Sequence, residues 1–78
     1  MPIPLYGFLH GDTIGLLILA EEGETLQALA GKLQAAASLR VEGKEHVQVI
    51  YNNKTMDPAM TVGQAGFEAL DRFDVIPE

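Results

Sequence analysis

The sequence contains no cysteine, and that absence removes several kinds of chemistry at once. Disulfide bonds, thiol nucleophiles and thiolate metal sites all require cysteine, so the chain has none of them. Basic residues are also scarce, because 5 Lys and Arg stand against 11 Asp and Glu, for a net charge of −6 at pH 7. Binding to nucleic acid or to an anionic membrane surface gains affinity from clustered positive charge. The composition therefore argues against both, and it suits either solubility or a basic partner surface.

Long hydrophobic runs are absent as well. The longest run, residues 14–20, includes Gly15 and is far shorter than the ~20 apolar residues that span a bilayer. The first residues lack the basic start of a secretory signal, and the pair Gly11-Asp12 interrupts the first apolar run. We therefore predict no membrane insertion and a cytoplasmic location.

The length of the chain limits what its interior can hold. We predict one domain over residues 1–78, with a small core, because a domain of this size buries roughly 60 % of its unfolded surface. Ligand pockets usually take ~300 Å³ or more, which such a core seldom leaves. A binding module is favoured over an enzyme on these grounds, and we predict no bound cofactor.

The first half of the chain predicts a β-hairpin and then one helix. Two apolar runs, residues 3–10 and 13–20, are separated by the turn-forming pair Gly11-Asp12. Thr25 follows an acidic break and is a suitable helix N-cap. Apolar residues then recur at helical spacing, which predicts an amphipathic helix that ends near Ser38. They are Leu26, Leu29, Ala30, Leu33 and Ala37.

The third strand is predicted by alternation in residues 46–51. Val47, Val49 and Tyr51 would share one face, and Ile50 would lie on the other. The pair Asn52-Asn53 then predicts a tight turn, since asparagine tolerates positive φ. Residues 54–56 are predicted to form a short strand.

The last part of the chain predicts one helical turn and a final strand. Thr61 would cap the turn and Gly66 would end it in a left-handed conformation. We predict that Phe67 and Leu70 anchor the following loop in the core. Residues 72–76 would form the final strand.

The order of the elements predicts an α+β fold, with one helix packed across a mixed sheet of four to five strands. That order is strand, strand, helix, strand, short strand, helical turn, strand. This order and its spacing resemble the ubiquitin-like β-grasp superfamily over the whole chain. The resemblance implies that the first and last strands are central neighbours. It does not by itself imply a function, since one fold hosts many.

A narrower resemblance lies in the C-terminal half. The segment Pro58-x-Met60-Thr61-Val62-x-x-Ala65-Gly66-Phe67, followed by Asp71-x-Phe73-Asp74-Val75, resembles the small ubiquitin-like B (gamma) subunit of bacterial toluene/o-xylene multicomponent monooxygenases. In that family the two irons sit in the large subunit and the small subunit packs on its outside. The resemblance implies a noncatalytic accessory subunit whose partner is a larger subunit, a diiron hydroxylase. It carries over no catalytic, cofactor-binding or metal-binding residue.

Three other functions are known for proteins with this fold or size. A ubiquitin-like accessory protein of a type VII secretion system shares the topology, and a small stand-alone enzyme is an alternative of a different class. A sulfur carrier or conjugated modifier requires a flexible C-terminal Gly-Gly, which Pro77-Glu78 does not provide.

His10 and His46 lack metal-ligand spacing, and the carboxylates near the C-terminus lack an apolar pocket that would shift a pKa.

Candidate interaction residues are apolar side chains that the core does not need. We predict a partner-binding patch on the outer face of the sheet, formed by Tyr6, Phe8, Ile50 and Ile76. Ile50→Asp is then expected to weaken partner binding with little loss of folding.

An alternative arrangement of the first strand stays open at this point, because both of its faces are apolar. Tyr6 and Phe8 would belong to the core in that arrangement. The residues facing outward would be Pro4, Leu5, Gly7 and Leu9.

Overall fold

The computed structural model describes residues 2–78 and shows a five-stranded mixed sheet with one long helix across it. The order of strands in the sheet is β2-β1-β5-β3-β4. The two central strands, β1 and β5, run parallel, and every other neighbouring pair is antiparallel. This is the predicted α+β arrangement. The elements are β1 (Ile3–Leu9), β2 (Leu16–Ala20), α1 (Leu26–Ala36), β3 (Val47–Tyr51), β4 (Lys54–Met56), α2 (Val62–Ala65) and β5 (Arg72–Pro77).

The connection between β1 and β2 is longer than the predicted two-residue turn. The antiparallel register ends at Gly7 opposite Leu16, whereas the pairing of β1 with β5 on its other edge continues to Leu9. Within the connection, Asp12 accepts hydrogen bonds from the guanidinium of Arg40, with 3.0 Å between Nη2 and Oδ2. This partner lowers the pKa of Asp12 below its usual value. The ion pair ties the loop to the segment that follows α1.

Helix α1 begins as predicted and covers the inner face of the sheet. The hydroxyl of Thr25 accepts a hydrogen bond from the backbone N–H of Ala28, which satisfies one free amide of the first turn. Gly7 allows close approach of the helix, because a Cβ at this position would lie 2.8 Å from Phe73 and 2.9 Å from Leu33. Among residues 2–78 the core is entirely apolar. Its buried residues include Leu5, Ile18, Leu26, Leu29, Leu33, Val49, Val62, Phe67, Phe73 and Val75.

Local turn signals in the second half of the chain are confirmed. Asn52 and Asn53 have φ values of 53° and 63°, which is the left-handed geometry of a tight β-hairpin turn. Thr61 and Gln64 form a reciprocal capping box at the start of α2. Gly66 ends that helix with φ of 81°. Helix α2 therefore begins and ends where the sequence predicts it.

The loop before β5 departs from the prediction at Leu70. Phe67 is buried as expected and its ring stacks on Tyr51 with 4.1 Å between centroids. Leu70 is instead 58 % exposed and has φ of 69°. Its N–H donates to the carbonyl of Pro4 at 2.6 Å, so the chain reverses here to enter β5 and carries the Leu70 side chain away from the core.

None of the helices formed by residues 2–78 is long and apolar enough to cross a membrane.

Candidate functional site

The outer face of the sheet is the surface that α1 does not cover, and all four predicted site residues lie on it. Leu5 and Leu9 are buried beneath the helix, so the alternating residues Tyr6 and Phe8 of β1 point outward. The alternative arrangement, with Tyr6 and Phe8 in the core, is therefore wrong.

The remaining two predicted residues follow the same alternation on their own strands. Ile50 follows the buried Val49 in β3, and Ile76 follows the buried Val75 in β5. Tyr6 is 43 % exposed, whereas Phe8, Ile50 and Ile76 are half-buried.

An ion pair separates these residues. Arg72 and Asp74 of β5 lie on the outer face, with 3.0 Å between Nε and Oδ1. Asp74 is opposite Phe8 on one side and opposite Ile50 on the other, so the carboxylate stands between the two apolar side chains. The carboxylate therefore interrupts the apolar surface between Phe8 and Ile50, whereas Phe8 and Ile76 line a common depression of about 310 Å³.

Phe8 is also held in place within the chain. The guanidinium of Arg72 lies over its ring, with 4.0 Å from Cζ to the ring centroid, a cation–π arrangement. Gly15 lies against the same ring, since a Cβ built there would be 2.5 Å from Cζ of Phe8. Contacts inside the molecule therefore already occupy much of this aromatic surface.

Two apolar side chains of the outer face that are more exposed than Tyr6 were not among the predicted residues. Leu17 and Leu19 of β2 are 56 % and 57 % exposed, while Ile18 between them is buried. Leu17 lies opposite Tyr6, and Leu19 lies opposite Pro4. We refer to Pro4, Tyr6, Leu17 and Leu19 as the apolar strip. The signal for it in the sequence is the unbroken run of residues 16–19, in which both faces of a strand are apolar.

A polar depression lies on the other side of the ion pair. Its volume is about 270 Å³, and most of its lining is polar. The lining residues are Ile50, Tyr51, Asn52, Asn53, Asp71, Arg72 and Asp74.

The Tyr51 hydroxyl donates to Oδ2 of Asp71 at 2.6 Å, and the N–H of Glu68 donates to the same oxygen at 2.9 Å. These two hydrogen bonds lower the pKa of Asp71, and the bond from Tyr51 has the larger effect. The same hydrogen bond raises the pKa of Tyr51. Asp71 is thus an ionised carboxylate that fixes the loop before β5.

Residues 2–78 contain no group of three or more His, Asp or Glu side chains arranged to hold a metal ion. The N–H of His10 donates to the carbonyl of Val75, and the carbonyl of His46 accepts from the N–H of Glu78, so the two histidines lie on opposite sides of the same, C-terminal end of β5. Asp12, next to the His10 turn, is engaged by Arg40.

Comparison with solved structures shows the fold. Over the full length of both chains, the protein superposes on a chain of "Toluene 4 monooxygenase HD Complex with Inhibitor 4-Bromobenzoate" with a TM-score of 0.91 and 18 % identity. A ubiquitin of Caldiarchaeum subterraneum matches with a TM-score of 0.82 and 15 % identity, covering 100 % of this chain and 95 % of that one. The ubiquitin-like domain of Plasmodium falciparum Dsk2 matches over both full chains with a TM-score of 0.76 and 14 % identity. No curated protein sequence matches the chain.

The family follows from the sequence. The model of one protein family, toluene-4-monooxygenase system protein B (TmoB), matches residues 2–76. Members of this family are small components of an oxygenase system and are not themselves the catalyst, as the resemblance in the C-terminal half implied. The chain belongs to the family of toluene-4-monooxygenase system protein B, and its fold is ubiquitin-like.

Proposed function

We propose that the chain is a noncatalytic accessory subunit of a bacterial, cytoplasmic multicomponent monooxygenase whose large subunit carries a diiron centre. It acts as a single ubiquitin-like domain, through contact with that larger subunit. The observation that carries the proposal is the family match over residues 2–76. A solved chain with the same fold and full mutual coverage comes from a toluene 4-monooxygenase complex, which supports the same assignment.

The surface chemistry supports a binding role. Large aliphatic and aromatic side chains are exposed on the outer face of the sheet, and they contribute little to the core beneath it. Exposed apolar groups beside polar, ion-paired neighbours are the usual composition of a protein interface. The predicted residues Tyr6, Phe8, Ile50 and Ile76 remain our proposed contact residues on this face.

Co-production with the large hydroxylase subunits from the same organism tests the proposal. The tagged chain is purified together with those subunits, and light scattering and iron analysis give the stoichiometry and the metal content. We expect one chain for each large subunit, with the iron carried by the large subunit and none bound by the isolated chain.

A matched control uses a ubiquitin of similar size, such as the Caldiarchaeum protein, in place of the chain. It has the same fold and is expected not to co-elute. The proposal is overturned if the large subunits assemble and turn over substrate equally well without the chain and never co-elute with it.

A further inference from the structure

Resting on this proposed function, we propose that the larger subunit docks on the apolar strip, Pro4, Tyr6, Leu17 and Leu19, with basic side chains around its own contact area. The strip lies on β1 and β2, at one side of the outer face. The proposal differs from the residues predicted from sequence, because it moves the centre of the contact away from Ile50 and Ile76.

The exposure of the two leucines is the first argument. Leu17 and Leu19 point to the same side of β2, and each leaves more than half of its surface exposed. Tyr6 lies directly opposite Leu17 in the register, so an aromatic side chain stands beside the aliphatic ones. Aromatic and aliphatic groups in one exposed cluster are typical of the centre of an interface.

Lys32 occupies one carbonyl on the free edge of β2, which bears on how a partner meets the strand. The ammonium of Lys32 donates to the carbonyl of Leu19 at 2.9 Å and to the carboxylate of Glu24 at 2.7 Å. A lysine placed against an edge strand is a common device against the addition of another strand. The partner is therefore expected to cover the face of β1 and β2 and not to extend the sheet.

The charge around the strip selects the kind of partner. At the Pro4 side, the N–H of Leu70 donates to the carbonyl of Pro4, and the exposed residue Glu68 belongs to the same loop as Leu70. At the Leu19 end, the exposed residues Glu21 and Glu22 follow directly after β2.

The basic residues that border the strip, Lys32 and Arg72, are each already paired with a carboxylate. Two copies of this chain meeting face to face would bring like charges together, which costs free energy at an interface. A partner with an apolar centre and a basic border avoids that repulsion. A larger subunit of that composition is therefore favoured over a second copy of the chain.

The other half of the outer face is a poorer centre for the contact. Phe8 is covered by Arg72, and Ile50 and Ile76 are half-buried among neighbouring strands. A partner there would have to displace the pair between Arg72 and Asp74 or bury it. The strip requires no such rearrangement.

Affinity measurements with Leu19→Asp test the inference. The chain is labelled and titrated with the purified large hydroxylase subunit, and the Kd is compared with that of the natural chain. Truncation of a central interface residue commonly weakens binding by tenfold or more, and a carboxylate buried at that position weakens it further. We therefore expect the Kd of Leu19→Asp to be about 30-fold higher than that of the natural chain. Leu19→Ala is expected to give a smaller increase in the same direction.

Leu39→Asp is the matched control. Leu39 follows the end of α1 and is 98 % exposed, so the same change is made at an exposed leucine outside the strip. We expect its Kd to stay within twofold of the natural value. Urea unfolding of each variant confirms that the chains compared are folded.

The outcomes separate the two proposals. If the natural chain binds and Leu19→Asp and Leu19→Ala bind equally well, the docking surface is elsewhere. This inference is then overturned, while the proposed function stands. If the natural chain does not bind the large subunit at all, the proposed function fails and this inference fails with it. If the natural chain is a dimer in light scattering and Leu19→Asp is a monomer, the strip contacts a second copy and the inference is also overturned.

Discussion

The two halves of the outer face differ in how completely the chain satisfies its own surface. On β5 and β3, Arg72 stacks on Phe8 and pairs with Asp74, and Tyr51 bonds to Asp71. On β1 and β2, the side chains of Leu17 and Leu19 leave most of their surface to solvent. The half on β5 and β3 is stable in water by itself. Covering the half on β1 and β2 with a partner would lower the free energy, because it removes apolar surface from water.

The difference shows how binding surfaces can be separated from structural ones on a small domain. An exposed charged cluster whose members already bond to each other is a weak basis for assigning a partner. An exposed apolar cluster is a stronger one. The following changes are expected to sharpen or break this contrast, and they begin with the largest expected effect.

The contrast between Ile18 and Leu17 within β2 carries the largest expected effect. Ile18 is buried under α1, and Leu17 faces outward. Ile18→Ala is expected to lower the free energy of unfolding by about 2–4 kcal/mol, because it leaves a cavity in the core. Leu17→Ala is expected to change it by less than about 0.5 kcal/mol. Urea unfolding measures both, and a comparable loss for the two variants would mean that Leu17 is part of the core.

A substitution at Gly15 tests the packing of Phe8. Gly15→Ala would place a methyl group 2.5 Å from the Phe8 ring, so the ring must leave its position beneath Arg72. We expect a loss of about 1–2 kcal/mol in the free energy of unfolding. Gly23→Ala is the control, because a Cβ there has nothing within 4 Å. Equal stability of both variants in urea would show that Phe8 is not held as described.

The hydrogen bond from Tyr51 to Asp71 is expected to contribute about 1 kcal/mol at neutral pH, so Tyr51→Phe should lower the free energy of unfolding by that amount. The contribution also depends on pH. The pKa of Asp71 is lower in the folded chain than in the unfolded one, so the stability it provides is present above the ordinary aspartate pKa, near 4.

That stability is lost as the pH falls from there through the folded pKa. Tyr51→Phe should therefore reduce the loss of stability between pH 5 and pH 2 in acid-dependent urea unfolding. An unchanged acid dependence in the variant would contradict the assigned cause of the lowered pKa.

Ile50→Asp tests the other half of the outer face. The new carboxylate would stand directly opposite Asp74, so like-charge repulsion is expected to contribute about 0.5 kcal/mol to the loss in the free energy of unfolding, in addition to the lost packing of the half-buried isoleucine. It should also weaken partner binding, as expected from the sequence, but by less than tenfold and less than Leu19→Asp. Titration with the large hydroxylase subunit compares the two. A larger effect at Ile50 would place the centre of the contact on β3 and β5.

The sequence predicts best those features that depend on a few neighbouring residues. Thr25, the pair Asn52-Asn53 and the segment from Thr61 to Gly66 each set their local geometry through backbone hydrogen bonds or allowed φ values. The order of these elements then restricts the fold to few topologies, and the resemblance in the C-terminal half supplied the family.

Features set by contacts between distant segments were harder to predict. The pairing of β1 with β5 extends to Leu9, but its pairing with β2 ends at Gly7, and β2 begins at Leu16 and not at residue 13 as expected. Leu70 is apolar but sits where the chain reverses, which turns its side chain to solvent. Leu17 and Leu19 belong to an unbroken apolar run, and alternation cannot assign the faces of a strand that is apolar on both sides.

Hydrogen exchange of the backbone amides, with and without the large hydroxylase subunit, tests most directly whether the outer face of β1 and β2 is the docking surface. The account predicts slower exchange on binding in residues 3–9 and 16–20 and in the loop at residues 67–71. It predicts little change in α1 and in residues 38–46. Protection confined to α1 and the segment after it, with β1 and β2 unchanged, would contradict the account.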